Sequence, residues 1–213
     1  MTTMTHQKVP ARRRATQARS KATVQRILDA ATALLIEKGA EPVTMTEIAQ
    51  RADVVIGSLY QYFSDRSAIH AAILIKHQAD TRAMLHAAVA DVTDIDQFID
   101  RLSFAGERYF ELHQTDPLFN SIWSIVQTDA ELQAMDIEDT LHNARILHAI
   151  VRPLLPRVDS DRLMATCALL LQGAVFTGRF ARAIPPGLGR HILPLLQGMI
   201  REGFQALKRE NDA

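Results

Sequence analysis

Apolar residues recur three or four positions apart through most of the chain, and this spacing limits the folds open to it. Between residues 20 and 39 it places one apolar face on a helix that Gly39 is positioned to end. No segment shows the sustained polar and apolar alternation of a half-buried strand. The sequence therefore predicts an all-α protein. The face of this first helix consists of Val24, Ile27, Leu28, Ala31, Leu34 and Leu35.

Glycine, proline and capping residues divide the chain into about nine predicted helices. After the first, two short helices are expected at residues 44–52 and 55–62, separated by a tight turn. A long helix is expected from Ser64 or Asp65 to Asp91, because no Pro or Gly interrupts it. The remaining predicted helices are residues 94–113, 117–128, 131–155, 159–183 and 188–208.

Charge is distributed unevenly along a chain whose net charge is zero. The first 26 residues contain no acidic side chain, and residues 1–18 also lack the apolar groups of a packed element. We predict that residues 1–18 form a flexible basic arm that can bind phosphates, although short basic tails also occur as solvated leaders. The basic residues are Lys8, Arg12, Arg13, Arg14, Arg19, Lys21 and Arg26.

Residues 44–63 have the dimensions of a helix-turn-helix, in which the second helix enters the major groove of DNA. Thr44 and Glu47 form a predicted capping box at the first of the two helices. The second carries Ser58, Tyr60, Gln61 and Tyr62, which suit contacts to phosphates and base edges. A small helical bundle with no DNA-binding role is the alternative for this region.

Residues 53–63 read DVVIGSLYQYF and resemble the G-V-S-x-G-x-L-Y-x-Y-F signature of the TetR-like family of bacterial transcriptional regulators. Residues 44–49, TMTEIA, look like the second helix of that family, and Arg66 stands where the family usually has a phosphate-contacting lysine. The resemblance covers about residues 20–75. It implies phosphate contacts by Thr44, Tyr60, Tyr62 and Arg66.

The resemblance also implies that Ser58, Gln61, Val55 and Ile56 lie at base edges or groove walls, with Gly57 permitting close approach of the backbone to DNA. Val55 replaces the small polar residue that usually caps the recognition helix, so the cap hydrogen bond should be lost. Val55 and Ile56 make this surface unusually apolar. We therefore hypothesise that it reads thymine methyl groups.

One further departure lies in the turn. Asp53 occupies the position of the usual glycine, and aspartate tolerates the left-handed backbone conformation better than most residues. We expect the turn to form.

The predicted organisation is a flexible arm (1–18), a helix-turn-helix domain (19–66), a connecting helix (67–91) and a larger helical domain (92–213). The family resemblance implies that the last two helices of the larger domain pair with those of a second protomer. An intrachain core is the alternative use of the same apolar stripes. The stripes are Leu163, Cys167, Leu170, Leu171, Ala174 and Gly178, then Ile192, Leu195, Leu196, Met199 and Ile200.

A small-molecule pocket in the larger domain is also implied, and large apolar residues with a few polar groups are its candidates. As a set they point to an apolar or aromatic effector, whereas an ordinary core is the alternative for each residue taken singly. The candidate ligand-binding residues are Phe104, Tyr109, Phe110, Trp123, Met135, His142, Phe176 and Arg179.

Other classes of protein find little support in the sequence. It contains no HExxH, GxSxG or phosphate-binding glycine loop, and the single cysteine excludes a CxxC site, so we expect no enzyme, cofactor or metal. No secretory signal is apparent, and the apolar run at 163–177 is shorter than a membrane span and is predicted to be a buried helix.

We expect a cytoplasmic dimeric repressor released from a palindromic operator by a small effector. The alternative is a ligand-binding or scaffold protein that keeps the helix-turn-helix shape without specific DNA binding.

Overall fold

The computed structural model describes residues 11–39 and 42–213, with side chains from residue 18 onward. These residues form ten helices and no strand, which confirms the all-α fold. The helices are α1 (Ala11–Lys38), α2 (Met45–Arg51), α3 (Ile56–Tyr62), α4 (Arg66–Val89), α5 (Ile95–Thr115), α6 (Pro117–Val126), α7 (Ala130–Val151), α8 (Ser160–Ala183), α9 (Pro186–Gly189) and α10 (Ile192–Asp212).

The largest differences from the predicted helices concern α1, α7 and the segment before α10. The helix α1 begins at Ala11, so residues 11–18 of the predicted flexible arm are helical. They are rich in Ala, Arg and Gln, which favour helix; residues 1–10 lie outside the described residues. The helix α7 ends at Val151 instead of residue 155 because Pro153 lacks an amide proton. One extra helical turn, α9, starts with Pro186.

The chain divides into two compact units, Met1–Ile73 and Leu74–Ala213, and α4 contributes residues to both. In unit 1, α1, α2 and α3 pack through their apolar faces. Ile27, Ile48, Leu59 and Ile69 are fully buried there. Arg51 of α2 forms an ion pair with Glu37 of α1, and this contact holds the pKa of Glu37 below its usual value.

Unit 2 is built on the packing of α5, α7, α8 and α10. Phe98 of α5 and Phe204 of α10 meet edge to face, with ring centroids 5.0 Å apart, and both are fully buried. Cys167 of α8 lies in the same core, where burial raises the pKa of its thiol to about 12. The core therefore joins helices that are far apart in sequence.

The helix α8 corrects one prediction. The run at 163–177 is not simply a buried helix, because Leu163 and Cys167 are buried whereas Leu169 and Phe176 are 72% and 57% exposed. Apolar residues lie on both sides of α8, and only one side packs against the other helices of unit 2. Within the described residues, α8 alone has the length and composition of a membrane span, which core helices can share.

Candidate nucleic-acid interface and ligand cavity

A capping box starts α2. The Thr44 side chain accepts a hydrogen bond from the Glu47 amide, and the Thr44 amide donates to Glu47 Oε2 at 2.8 Å. Glu47 also accepts from Lys38 Nζ of α1, and these bonds, the one from Lys38 above all, lower its pKa to about 2. The box fixes where α2 begins and ties that end to α1.

The turn between α2 and α3 forms with Asp53 in the left-handed region, at φ 51°. The preceding Ala52 ends α2, and the Val54 amide donates to the Ala49 carbonyl at 3.0 Å. The expectation that aspartate can replace glycine in this turn is confirmed.

Val55 is the N-cap of α3 and makes no side-chain cap bond, as predicted. Its carbonyl accepts from the amides of Ser58 and Leu59 at 2.8 and 3.1 Å. Leu59 is fully buried and Phe63 nearly so, which anchors α3 through one face and leaves the opposite face to solvent.

The outward face of α3 carries large apolar and aromatic side chains. Val55 is 74% exposed, Tyr60 53%, Ile56 39% and Tyr62 37%. Such a cluster in water indicates a surface that is covered by a partner. The other residues predicted to contact DNA are exposed Thr44, Gly57, Gln61 and Arg66 and half-buried Ser58.

Arg66 and Thr44 are neighbours although 22 positions separate them in sequence. Arg66 Nη1 donates to the carbonyl of Val43 at 3.4 Å, immediately before Thr44. The guanidinium thus lies near the N-terminus of α2, where the helix dipole and the positive charge both favour a phosphate. The Thr44 hydroxyl itself donates to Glu47, so a phosphate contact through this hydroxyl would replace that bond.

Unit 2 contains a cavity with about 90 Å³ of space for the centres of water-sized molecules; all space between its atoms, open solvent included, is about 860 Å³. Its walls come from α4, α5, α6, α7, α8 and α10, and most of the lining is aliphatic or aromatic. The α5 wall consists of Leu102, Ala105, Gly106 and Tyr109. This spacing of three and four positions is one stripe of a helix.

Most of the predicted ligand residues do not line the cavity. Tyr109 and Trp123 do, whereas Phe104 and Phe110 lie off the α5 stripe. Of the others, Phe104, His142 and Phe176 are exposed, Met135 and Phe110 are half-buried, and Arg179 places its guanidinium over the Trp123 ring, 5.5 Å from the centroid.

Polar residues of the cavity were missed by the sequence analysis. His77, Gln78 and Thr81 come from α4, and Asp136, Asp139, Thr140 and Asn143 come from α7. On α7 these polar residues recur at helical spacing, which is a signal that the sequence contains. The prediction rested on large apolar residues and therefore did not include them.

A ring cluster borders the cavity. His113 is fully buried between Tyr109, Phe119 and Trp123, and neither ring nitrogen has a hydrogen-bond partner in the described structure. Burial lowers the pKa of His113 to about 3, so the ring is neutral. Gly178 of α8 lies against this ring so closely that a Cβ atom there would overlap it.

The apolar stripes of the last two helices divide between two environments. Leu163, Cys167, Leu196 and Ile200 are buried in unit 2, as the intrachain alternative required. Leu195 and Met199 of the predicted stripes are exposed, and so are three apolar residues of α8 outside its predicted stripe: Leu169, Phe176 and Phe180. Unit 2 therefore has an uncovered apolar surface on the helices α8 and α10.

Both parts of the chain match families of known proteins. Residues 27–73 match the family described as bacterial regulatory proteins, tetR family, and residues 93–184 match the family described as tetracyclin repressor-like, C-terminal domain. The curated relatives are matched over only 20% to 48% of their own length. Among them, the HTH-type transcriptional repressor KstR of Rhodococcus jostii is 50% identical over 42 residues, which is 20% of each chain.

Solved structures share the fold over most of the chain. A TetR-family transcriptional regulator from Streptomyces coelicolor superposes with a TM-score of 0.64 at 21% identity, covering 87% of this chain and 99% of that one. SmeT, the repressor of the Stenotrophomonas maltophilia multidrug efflux pump SmeDEF, was solved in complex with triclosan. That complex superposes with a TM-score of 0.59 at 22% identity, covering 88% of this chain and 89% of SmeT.

Proposed function

The chain belongs to the TetR family of bacterial transcriptional regulators, and from this premise we propose that it is a repressor that binds a palindromic operator as a homodimer in the cytoplasm and is released by a small effector. The observation that carries the proposal is the outward face of α3. Val55, Ile56, Tyr60 and Tyr62 are exposed there while Leu59 holds the helix in the core of unit 1. A major groove offers such side chains phosphates, base edges and thymine methyl groups.

Repression is supported by the printed names of two similar proteins, KstR and SmeT, both of which are repressors. A repressor acts by occupying DNA that a polymerase needs. The positions Thr44, Tyr60, Tyr62 and Arg66 supply phosphate contacts, and Val55, Ile56, Ser58 and Gln61 face base edges, with Gly57 allowing close approach of the backbone. Phosphate contacts make binding fall steeply as salt concentration rises.

Dimerisation through α8 and α10 accounts for the uncovered apolar surface of unit 2. Phe176 and Phe180 stack with ring centroids 5.5 Å apart, and Leu195 and Met199 are exposed on α10. Two copies of this surface can cover each other about a twofold axis, which matches the symmetry of a palindromic operator.

The cavity of unit 2 is the proposed effector site. It is mostly apolar with a few polar groups, which is the usual composition of a site for a small organic molecule. SmeT binds triclosan, an observation that makes a small-molecule site in this fold reasonable. The helix α4 supplies residues of both units, so an effector that favours one arrangement of α4 can change DNA affinity by its difference in affinity for the two states.

The test is selection of bound duplexes from a random pool, followed by affinity measurements at low and high salt. We expect an enriched inverted repeat whose binding weakens at high salt and falls at least about tenfold in Tyr62→Ala, since a contact to a charged phosphate oxygen contributes about 1.5–3 kcal/mol. The control is Ile137→Ala, which removes a comparably exposed apolar side chain from α7 in unit 2.

Either of two results would contradict the proposal. One is the absence of an enriched sequence. The other is binding that is equally strong in Tyr62→Ala and indifferent to salt. Both would favour a ligand-binding protein that keeps the helix-turn-helix shape.

A further inference from the structure

Asp136 is a carboxylate of the cavity without a protein partner. It lies on α7, and within the described part of the chain it makes no hydrogen bond or ion pair. Asp139, one turn further along, differs because it forms an ion pair with Arg82 and accepts from Asn143 Nδ2 at 3.0 Å. The charge of Asp139 is therefore balanced within the protein, whereas that of Asp136 is not.

Arg179 acts electrostatically on Asp136 but makes its contacts with other residues. Arg179 lies over the Trp123 ring and donates to the side-chain oxygen of Gln127. The cavity lining, as far as the structure describes it, contains neither Lys nor Arg. Burial raises the pKa of Asp136 to about 6; the charge of Asp139 adds to this effect and that of Arg179 partly offsets it. Near neutral pH the cavity thus presents an ionised carboxylate that forms no ion pair in the described structure.

Two amide side chains of the cavity, Gln78 and Asn143, each have one buried polar atom without a partner, and both side chains are more than nine-tenths buried. Gln78 is 8% exposed with no partner for Nε2, and Asn143 is 9% exposed with none for Oδ1. The bond from Asn143 Nδ2 to Asp139 fixes which way this amide faces. Buried polar atoms are ordinarily hydrogen-bonded, so these atoms point to a polar ligand rather than to an empty apolar space.

The rest of the lining determines the body of that ligand. Leu102, Leu147, Leu170 and Ile200 provide aliphatic walls from four helices, and the Trp123 indole adds a flat face. A ligand that fills this space without losing hydrogen bonds must be mostly hydrocarbon.

We propose that the cavity takes an apolar organic amine, whose ammonium group lies against Asp136 and whose hydrocarbon body packs on the aliphatic walls. The proposal rests on the proposed function only in identifying this cavity as the effector site. A charge-assisted hydrogen bond to an ammonium group is about twice as strong as a neutral one, so an amine is preferred to an alcohol. A carboxylate of the same shape meets a like charge at Asp136 and is rejected.

Three probes of similar shape test the proposal: phenylbutylamine, phenylbutanol and phenylbutyrate. Each is titrated by calorimetry into the full chain without DNA near neutral pH. We expect the amine to bind at least about tenfold more tightly than the alcohol, and the carboxylate to bind most weakly. In Asp136→Asn the advantage of the amine disappears, while the alcohol keeps its affinity and so shows that the cavity is intact.

Glu138→Gln is the matched control. Glu138 is the acidic residue two positions along α7, but its side chain is 67% exposed and pairs with Arg145 outside the cavity lining. Neutralising it changes the overall charge by the same amount as Asp136→Asn. All three affinities should therefore stay as in the original protein.

The pH profile gives a second readout. Amine binding requires ionised Asp136, so the affinity should fall by up to about tenfold per unit as the pH drops below about 6, whereas alcohol binding should not follow this profile. Burial lowers the pKa of His77, which favours the neutral form of its ring. The titratable and charged groups around Asp136 are His77 and Arg82 of α4, Tyr109 of α5, Asp139 of α7 and Arg179 of α8.

The proposal is overturned if the alcohol or the carboxylate binds as tightly as the amine, if Asp136→Asn keeps the preference, or if none of the probes binds at millimolar concentration. The duplex selection separates this failure from that of the proposed function. Operator binding without a preference for the amine retains the regulator and rejects the ligand chemistry. If the protein prefers the amine through Asp136 but binds no duplex, the ligand chemistry is retained and the regulator is rejected.

Discussion

The outward face of α3 in unit 1 and the cavity of unit 2 both hold side chains in surroundings that do not suit their chemistry, and they do so in opposite ways. On α3, Val55 and Ile56 expose apolar surface to water. In the cavity, Gln78 and Asn143 bury polar atoms without partners. The first arrangement suits a large partner that excludes water from a surface, and the second suits a small molecule that brings hydrogen bonds inside.

Two helical glycines extend this comparison and give the largest expected effect. A Cβ on Gly57 of α3 would meet nothing within 4 Å, whereas one on Gly178 of α8 would overlap the His113 ring. That ring is fully buried and packs against Phe119 and Trp123, so relieving the overlap requires neighbouring core side chains to shift. Gly178→Ala should therefore destabilise the protein by about 3 kcal/mol.

Urea unfolding measures this difference, with Gly57→Ala as its counterpart. Because alanine has the higher helix propensity, Gly57→Ala should leave the free energy of unfolding unchanged or raise it by up to about 1 kcal/mol. The only property that Gly57→Ala should impair is the affinity for DNA, which should fall. If Gly57→Ala and Gly178→Ala had the same free energy of unfolding, the contrast between the open surface at Gly57 and the packed interior at Gly178 would be wrong.

The unpaired amide of Gln78 gives the next largest effect. Gln78→Met keeps the approximate shape and removes the buried donor, so the free energy of unfolding should rise by about 1 kcal/mol. Lys76→Met is the control, since Lys76 is exposed on the same helix and its replacement should change stability by less than about 0.5 kcal/mol. A loss of stability in Gln78→Met would mean that Gln78 has a partner in the folded protein, and the comparison with α3 would fail.

The smallest effect concerns Val55. Replacing operator thymines with uracils removes methyl groups, and each methyl in contact with Val55 or Ile56 should contribute up to about 0.8 kcal/mol. Val55→Ser should reduce this loss and also supply the missing cap bond of α3, which raises the free energy of unfolding by about 0.5 kcal/mol. Affinity that is unchanged by uracil in the original protein would show that the apolar surface of α3 does not read thymine.

The sequence predicted the helices more fully than the cavity, and the reason is physical. Helical spacing, caps and breaks act between neighbouring residues, so α2, the Asp53 turn and α3 could be predicted from local patterns. The cavity depends on which stripe of each helix faces the others. Phe104 and Tyr109 are both aromatic residues of α5, yet only Tyr109 lies on the stripe that lines the cavity. The exposed side of α8 likewise depends on which of its apolar faces the other helices cover.

Cys167 is the single cysteine of the chain, and it is fully buried in the core of unit 2 with a raised thiol pKa. Thiol reagents therefore cannot modify it until that core opens. The rate of alkylation under native conditions then measures how often the core of unit 2 opens, and fraying in unit 1 does not affect it. An effector that binds the cavity should lower the alkylation rate in proportion to the fraction of protein that is occupied. Alkylation of Cys167 can therefore report effector binding without any DNA.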